Sequence, residues 1–100
     1  MTLQITERNC LELVARSFSL KVSDLISYKM DKETAKARQV AMYLLWMTTD
    51  YTLQQIGDAL GGRTPATISH GFQRTAFRMW YDDRFREKVS SIRNQLNEHQ

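Results

Sequence analysis

The pair Gly61-Gly62, followed at once by Arg63-Thr64-Pro65, sets the tightest limit on what this chain can fold into. Glycine is the residue best suited to the left-handed position that closes a helix. Threonine before proline supplies an N-cap and then a residue whose fixed φ suits the first helical turn. The segment therefore reads as a helix end, a sharp turn and a new helix start. Elsewhere the 100 residues hold two more glycines and no further proline. So few interruptions favour long helices over a many-turned sheet.

Apolar residues on either side recur at helical spacing. Thr6 is read as the cap of a first helix carrying Cys10, Leu13, Val14 and Phe18, ending near Ser17–Ser19. Ser23 and Asp24 open a short second helix with Val22, Leu25 and Ile26 on its apolar side. A polar, basic connection (residues 28–32) leads to a long third helix starting near Lys32–Thr34. Its buried stripe is Ala37, Val40, Ala41, Leu44, Leu45 and Met47 or Thr48, with Lys36, Gln39 and Tyr43 on other faces. Thr52 caps a short fourth helix marked by Leu53, Ile56, Ala59 and Leu60. From Thr64-Pro65 a fifth helix carries Ile68, Phe72, Thr75 and Met79 inward and runs to about Trp80. Asp82-Asp83 cap a sixth with Phe85, Val89, Ile92 and Leu96, and residues 97–100 are expected to fray. The expected fold is all-α: one compact six-helix domain containing a helix-turn-helix over about residues 53–80.

One hundred residues leave room for one domain and a real core. The formal charge of +3 permits a polyanionic partner without demanding one. The single cysteine, Cys10, can form no disulfide within the chain and is read as a small buried residue in a reducing compartment. No leader-like apolar stretch opens the chain and no run is long enough to span a membrane. A cytoplasmic protein, nucleoid-associated when bound, is expected.

Two helices joined by a glycine-containing turn are the geometry of a helix-turn-helix, whose second helix presents its N-terminal residues to base edges in the major groove. With Ile68, Phe72, Thr75 and Met79 inward, the opposite face holds Ala66, His70, Gln73 and Phe77, flanked by Thr67 and Arg74. Between Ala59 and Tyr81 there are three arginines (Arg63, Arg74, Arg78) and no Asp or Glu. Lys29, Lys32, Lys36 and Arg38 add a second basic region, diluted by Asp31 and Glu33. The competing reading of these cations is a solvated helical surface.

Individual side chains divide in the same way. Arg63 is the strongest phosphate candidate. Thr64 is a helix cap first, and its hydroxyl can also meet a phosphate. His70 is a base or phosphate contact or an ordinary exposed histidine. It is not a zinc ligand, because the only other histidine is His99. Ser69 and Gln73 complete the candidate DNA-contacting set on the fifth helix. Arg38 is either a phosphate contact or a structural bridge to Asp24 or Asp58. Trp46, Trp80 and Tyr81 are read as core or partner surface, whereas Phe77 falls on the outer face, over a dimer contact or the last helix. Asp82-Asp83 form a cap and not a catalytic pair. No convergent acid, base, nucleophile or metal set appears, so neither an enzyme nor a cofactor is expected.

Several stretches resemble the C-terminal domain of the bacterial replication initiator family DnaA. They are Val14-Ala15, Val22-Ser23-Asp24-Leu25-Ile26-Ser27, and Ala37-Arg38-Gln39-Val40-Ala41-Met42-Tyr43-Leu44. Thr52-Leu53, Ile56-Gly57-Asp58-Ala59-Leu60-Gly61-Gly62-Arg63, and then Thr67-Ile68 and His70 continue the likeness. It covers roughly residues 5–97. It implies a domain that binds short duplex elements, DnaA boxes, with a recognition helix in the major groove and a basic loop at the adjacent minor groove. On that likeness Arg63, Thr67 and His70 occupy DNA-contacting positions, and Lys29 and Lys32 fall in the basic loop.

The chain also departs from the family pattern. After Gly-Gly-Arg the family usually has Asp-His-Ser/Thr-Thr, where this chain has Thr64-Pro65-Ala66-Thr67. The arginine expected to enter the minor groove appears as Met30, followed by Asp31. An apolar side chain cannot replace a cation that reads groove potential. Phosphate binding through Arg63, Lys36, Arg38 and Arg74 survives these changes. No Gly-x-x-x-x-Gly-Lys-Ser/Thr loop is present, so nucleotide binding is not expected, and the chain is read as a free-standing relative or an excised piece. The expected partner is double-stranded DNA, bound with altered or relaxed specificity by a replication-linked or transcriptional regulator. The alternatives are a protein-interaction module on the same scaffold and a homodimeric repressor.

Overall fold

Side-chain caps fix where the helices begin. The computed structural model describes the backbone of residues 3–98 and the side chains of residues 6–98. Among the described residues there are six helices and no strand: α1 Leu3–Ser17, α2 Val22–Leu25, α3 Lys32–Thr48, α4 Leu53–Ala59, α5 Pro65–Tyr81 and α6 Asp83–Glu98. Thr52 and Gln55 cap α4 reciprocally: the Gln55 N–H donates to Thr52 Oγ1 at 3.1 Å and the Thr52 N–H to Gln55 Oε1 at 2.8 Å. Asp31 caps α3, accepting from the Thr34 N–H at 3.1 Å and the Thr34 hydroxyl at 3.0 Å. Asp82 accepts from the Phe85 N–H at 3.0 Å and starts α6.

Two starts differ from the sequence reading. α1 is already helical at Leu3, so Thr6 lies inside it and caps nothing. α2 opens at Val22 behind Lys21, and the Asp24 carboxylate reaches back to accept the Lys21 N–H at 2.9 Å. Aspartate at the third helical position serves the same orphan donors from inside the helix. At the other end α6 is still helical through Asn97 and Glu98. His99 and Gln100, the rest of the tail expected to fray, lie outside the described residues.

α3 is the spine, and each of the other five helices packs on it. Ala37, Val40, Ala41, Leu44 and Leu45 are fully buried, and Thr34, Arg38 and Met42 are buried as well. A helix covered from several sides needs more than one apolar stripe. Met47 stays exposed and is not part of it. Cys10 and Val14 from α1, Leu25 from α2, Ile56 from α4, Ile68 from α5 and Val89, Ile92 and Leu96 from α6 complete the core. Burying each Leu or Ile side chain contributes about 1.5–3 kcal/mol. Ile26, placed with Leu25 by its spacing, is exposed instead. Burial pushes the Cys10 thiol up to about 12, with the negative Glu7 adding to the effect.

α5 and α3 meet closely at Gly71, where a Cβ would overlap Met42 Sδ. The next residue, Phe72, stacks on Tyr43 with centroids 5.2 Å apart and meets the edge of Trp46 at 6.3 Å. Of the two expectations for Trp46, Trp80 and Tyr81, core or partner surface, the core one does not hold. All three are exposed, Trp80 to 82%. The α5 wheel explains the last two: Trp80 sits three residues after Phe77 and Tyr81 four after it, so both share the outward side.

Candidate nucleic-acid interface

The turn between α4 and α5 is built on one carbonyl. Gly57 O accepts from the N–H groups of Leu60 at 3.2 Å, Gly62 at 2.9 Å and Arg63 at 3.0 Å, folding the chain back over α4. The approach is so close that a Cβ on Gly57 would overlap the Arg63 carbonyl oxygen. Gly61 and Gly62 both take left-handed φ values, 84° and 86°. Thr64 then starts α5, its hydroxyl accepting from the Thr67 N–H at 3.3 Å and meeting the Thr67 hydroxyl at 3.0 Å.

This start projects Thr64, Pro65, Ala66 and Thr67 into solvent, with His70, Gln73 and Arg74 exposed on the following turns. Ser69 is half-buried at the flank, its hydroxyl accepting from Gln73 Nε2 at 3.4 Å. Ile68 and Thr75 are buried and Phe72 and Met79 half-buried, as the wheel requires. The side turned outward is therefore small and polar over its first turns. Thr75 Oγ1 is buried without a hydrogen-bond partner among the described residues.

The second basic region divides. Arg38 does not reach the surface, and its assignment as a DNA contact is corrected here. It is 4% exposed, and its guanidinium donates to four backbone carbonyls: Leu25 at 2.9 Å, Asp24 at 3.3 Å, Ser27 at 3.1 Å and Lys29 at 3.0 Å. It is a structural bridge, but to main-chain oxygens and not to the carboxylates of Asp24 or Asp58. The end of α2 and the loop after it turn these carbonyls toward α3, and a buried arginine fork serves them together, Asp24 O also accepting from Ser27. Burial, and then the nearby positive Arg63, hold its pKa below the ordinary value.

Arg63 is half-buried and partly committed. It donates to the Leu60 carbonyl and, at 2.6 Å, to the Ser27 carbonyl, and it lies 5.9 Å from the Tyr28 ring centroid. Lys29 is exposed but pairs with Asp24 at 2.9 Å; the Lys21 N–H and then Lys29 hold the Asp24 carboxyl below its ordinary range. Lys32 is exposed at the start of α3. Lys36 pairs with Glu33 at 3.4 Å and lines a shallow depression with Phe85 and Lys88, on the α6 side of α3. Thr64, Thr67, His70, Gln73 and Arg74 are thus brought together on α5. Arg63 stands behind them, Lys29 belongs to the neighbouring loop and Lys32 to the start of α3, and Lys36 and Arg38 are elsewhere.

Three features escaped the sequence reading. Tyr28 is 82% exposed beside Arg63, Gln39 of α3 joins the α5 surface, and Trp80 and Tyr81 are exposed near the outward Phe77, whose ring meets that of Tyr81. A groove of about 490 Å³ runs along α5 from His70 to Tyr81. Among the described residues no cluster of His, Cys, Asp and Glu could hold a metal, and no helix is long and apolar enough to cross a membrane.

The family described as bacterial DnaA protein helix-turn-helix matches residues 8–74, from α1 through the exposed first turns of α5. The chain is similar to the chromosomal replication initiator protein DnaA of Oenococcus oeni, 32% identical over 94% of its length. It spans 21% of that relative. Six helices, a turn closed by two left-handed glycines and a capped, polar α5 start agree with that match: this chain belongs to the DNA-binding helix-turn-helix family of bacterial DnaA.

Proposed function

We propose that this domain binds duplex DNA by laying the first turns of α5 in the major groove, with a specificity different from that of DnaA boxes. The observation that carries the reading is the outward α5 face itself. Thr67, His70, Gln73 and Arg74 stand exposed together, with polar side chains that can meet base edges or phosphates and no carboxylate among them. Base reading rests on His70, Gln73 and Thr67, and phosphate positioning on Arg74, Lys29 and Lys32. In this reading the domain acts by binding and not by catalysis, in a replication-linked or transcriptional role. The altered specificity rests on Thr64-Pro65-Ala66 and on Met30, which is 82% exposed where a groove-reading cation would stand.

Selection of bound duplexes from a random pool tests it, with Thr67→Ala/His70→Ala as control. A consensus that vanishes in the control supports the reading, and an unchanged consensus overturns it. Affinity should fall linearly on a log–log salt plot with a slope of about −3, for some three phosphates neutralised.

A second reading, a protein-interaction surface on the same scaffold, is favoured by the exposed apolar groups Tyr28 and Met30 on the α2–α3 loop. It requires no duplex retention even at low salt.

A further inference from the structure

The outward face of α5 changes chemistry halfway along. His70 and Gln73 give way, about 10 Å further along the axis, to Phe77, Trp80 and Tyr81, exposed to 67%, 82% and 57%. Phe77 and Tyr81 meet edge to face with centroids 5.3 Å apart. Three large rings left in water within one and a half turns are out of place on a solvated helix.

Their surroundings identify what suits them. The groove beside Phe77 and Tyr81 is lined also by Arg74, Arg78, Gln39 and Gln73, and its lining holds no Asp or Glu. The nearby carboxylates are occupied: Asp82 accepts the Phe85 N–H, and Asp83 pairs with Arg86 at 2.7 Å. An acidic or purely apolar peptide would use either the cations or the rings. A strand carrying one negative charge and one flat apolar base per unit uses both. The groove also continues without a break into the polar half of α5, the side proposed above to face DNA.

We infer that the C-terminal half of α5 is a stacking platform for unpaired bases of single-stranded DNA. Phe77, Trp80 and Tyr81 take base faces, while Arg74 and Arg78 take the phosphates. The readout is sequence-tolerant, because every base has a stacking face. The site shares Arg74 with the duplex-reading proposal but not the three rings, so ring variants can fail without touching that reading.

Fluorescence anisotropy with an oligo-dT of about 10 nucleotides, within the usual site size of one small domain, tests the platform in the whole chain. Oligo-dT should quench tryptophan emission. Phe77→Ala and Tyr81→Ala should each weaken binding about tenfold, the worth of one stacked base. Thr67→Ala, at a position outside the groove lining, should leave oligo-dT binding intact while altering the duplex consensus. Because all three rings are exposed, the variants should keep wild-type circular dichroism, and Trp80→Phe gives a ring-retaining control with near wild-type affinity. Equal oligo-dT affinity in wild type and ring variants overturns the inference. So does sedimentation showing that the ring variants dissolve a self-associated species without changing oligo-dT affinity.

Discussion

Arg38 and Arg63 donate to the same acceptor, the Ser27 carbonyl, at 3.1 and 2.6 Å. One comes from the centre of α3 and the other from the turn before α5, so a single oxygen ties the basic loop to the helix-turn-helix. Arg38→Ala would leave the Leu25 and Lys29 carbonyls unserved, since Asp24 O keeps Ser27 and Ser27 O keeps Arg63, and should destabilise by about 2–3 kcal/mol. Arg63→Ala should cost about 1 kcal/mol. Because the two share an acceptor, urea unfolding of the double variant should show non-additive losses.

The three turn glycines are not equivalent. At Gly57 a Cβ overlaps the Arg63 carbonyl, and at Gly61 it overlaps the Ile26 carbonyl on top of a positive φ. Gly62 also has positive φ, but open space around it. Gly62→Ala should therefore cost about 1–2 kcal/mol, the left-handed penalty alone. Gly57→Ala and Gly61→Ala should exceed it, because backbone must move, and thermal midpoints will rank them.

Thr75 spends a buried hydroxyl on nothing. Valine keeps its shape and removes the unpaired group, and both residues have similar helix propensity. Thr75→Val should leave stability unchanged or raise it by about 1 kcal/mol in a denaturant titration. A loss of the same size would mean that the hydroxyl has a partner.

Alkaline pH should unfold the domain through two acids whose folded pKa values are raised. Cys10 goes from 9.0 to about 12, and Tyr51 from 10.0 to about 12 by burial and then by its 2.5 Å hydrogen bond to Glu7. In both cases the folded chain holds its proton longer than the unfolded one. Stability is thus full below pH 9 and falls as pH rises through the window up to about 12. Tyr51→Phe should flatten the upper part of that decline, measured as urea midpoint against pH.

The fold was legible because its punctuation is local. Thr52, Gly61-Gly62 and Thr64-Pro65 each act through nearby backbone, and sequence spacing alone shows them. The α5 inward face was legible for the same reason. Arg38 was not, since nothing local distinguishes a cation that faces four carbonyls from one that faces phosphate. Its partners arise only when the loop after α2 folds over α3. Phe77 was placed outward, but Trp80 and Tyr81 were left between core and partner surface: a tryptophan suggests a core, yet the helical wheel of α5 places Trp80 beside Phe77 on the water side. Gly57 carried no obvious signal either, because its constraint is the returning Arg63 carbonyl.

Every other helix leans on α3, and that has a cost in modularity. The α3 residues Ala37, Val40, Ala41, Leu44 and Leu45 are part of the one apolar cluster that all six helices share, so partial structures without α3 have little to hold them. Unfolding should be concerted, with the slowest-exchanging amides along Val40–Leu45 reporting the global opening. A lesion in that short stretch would be felt at both ends of the molecule at once.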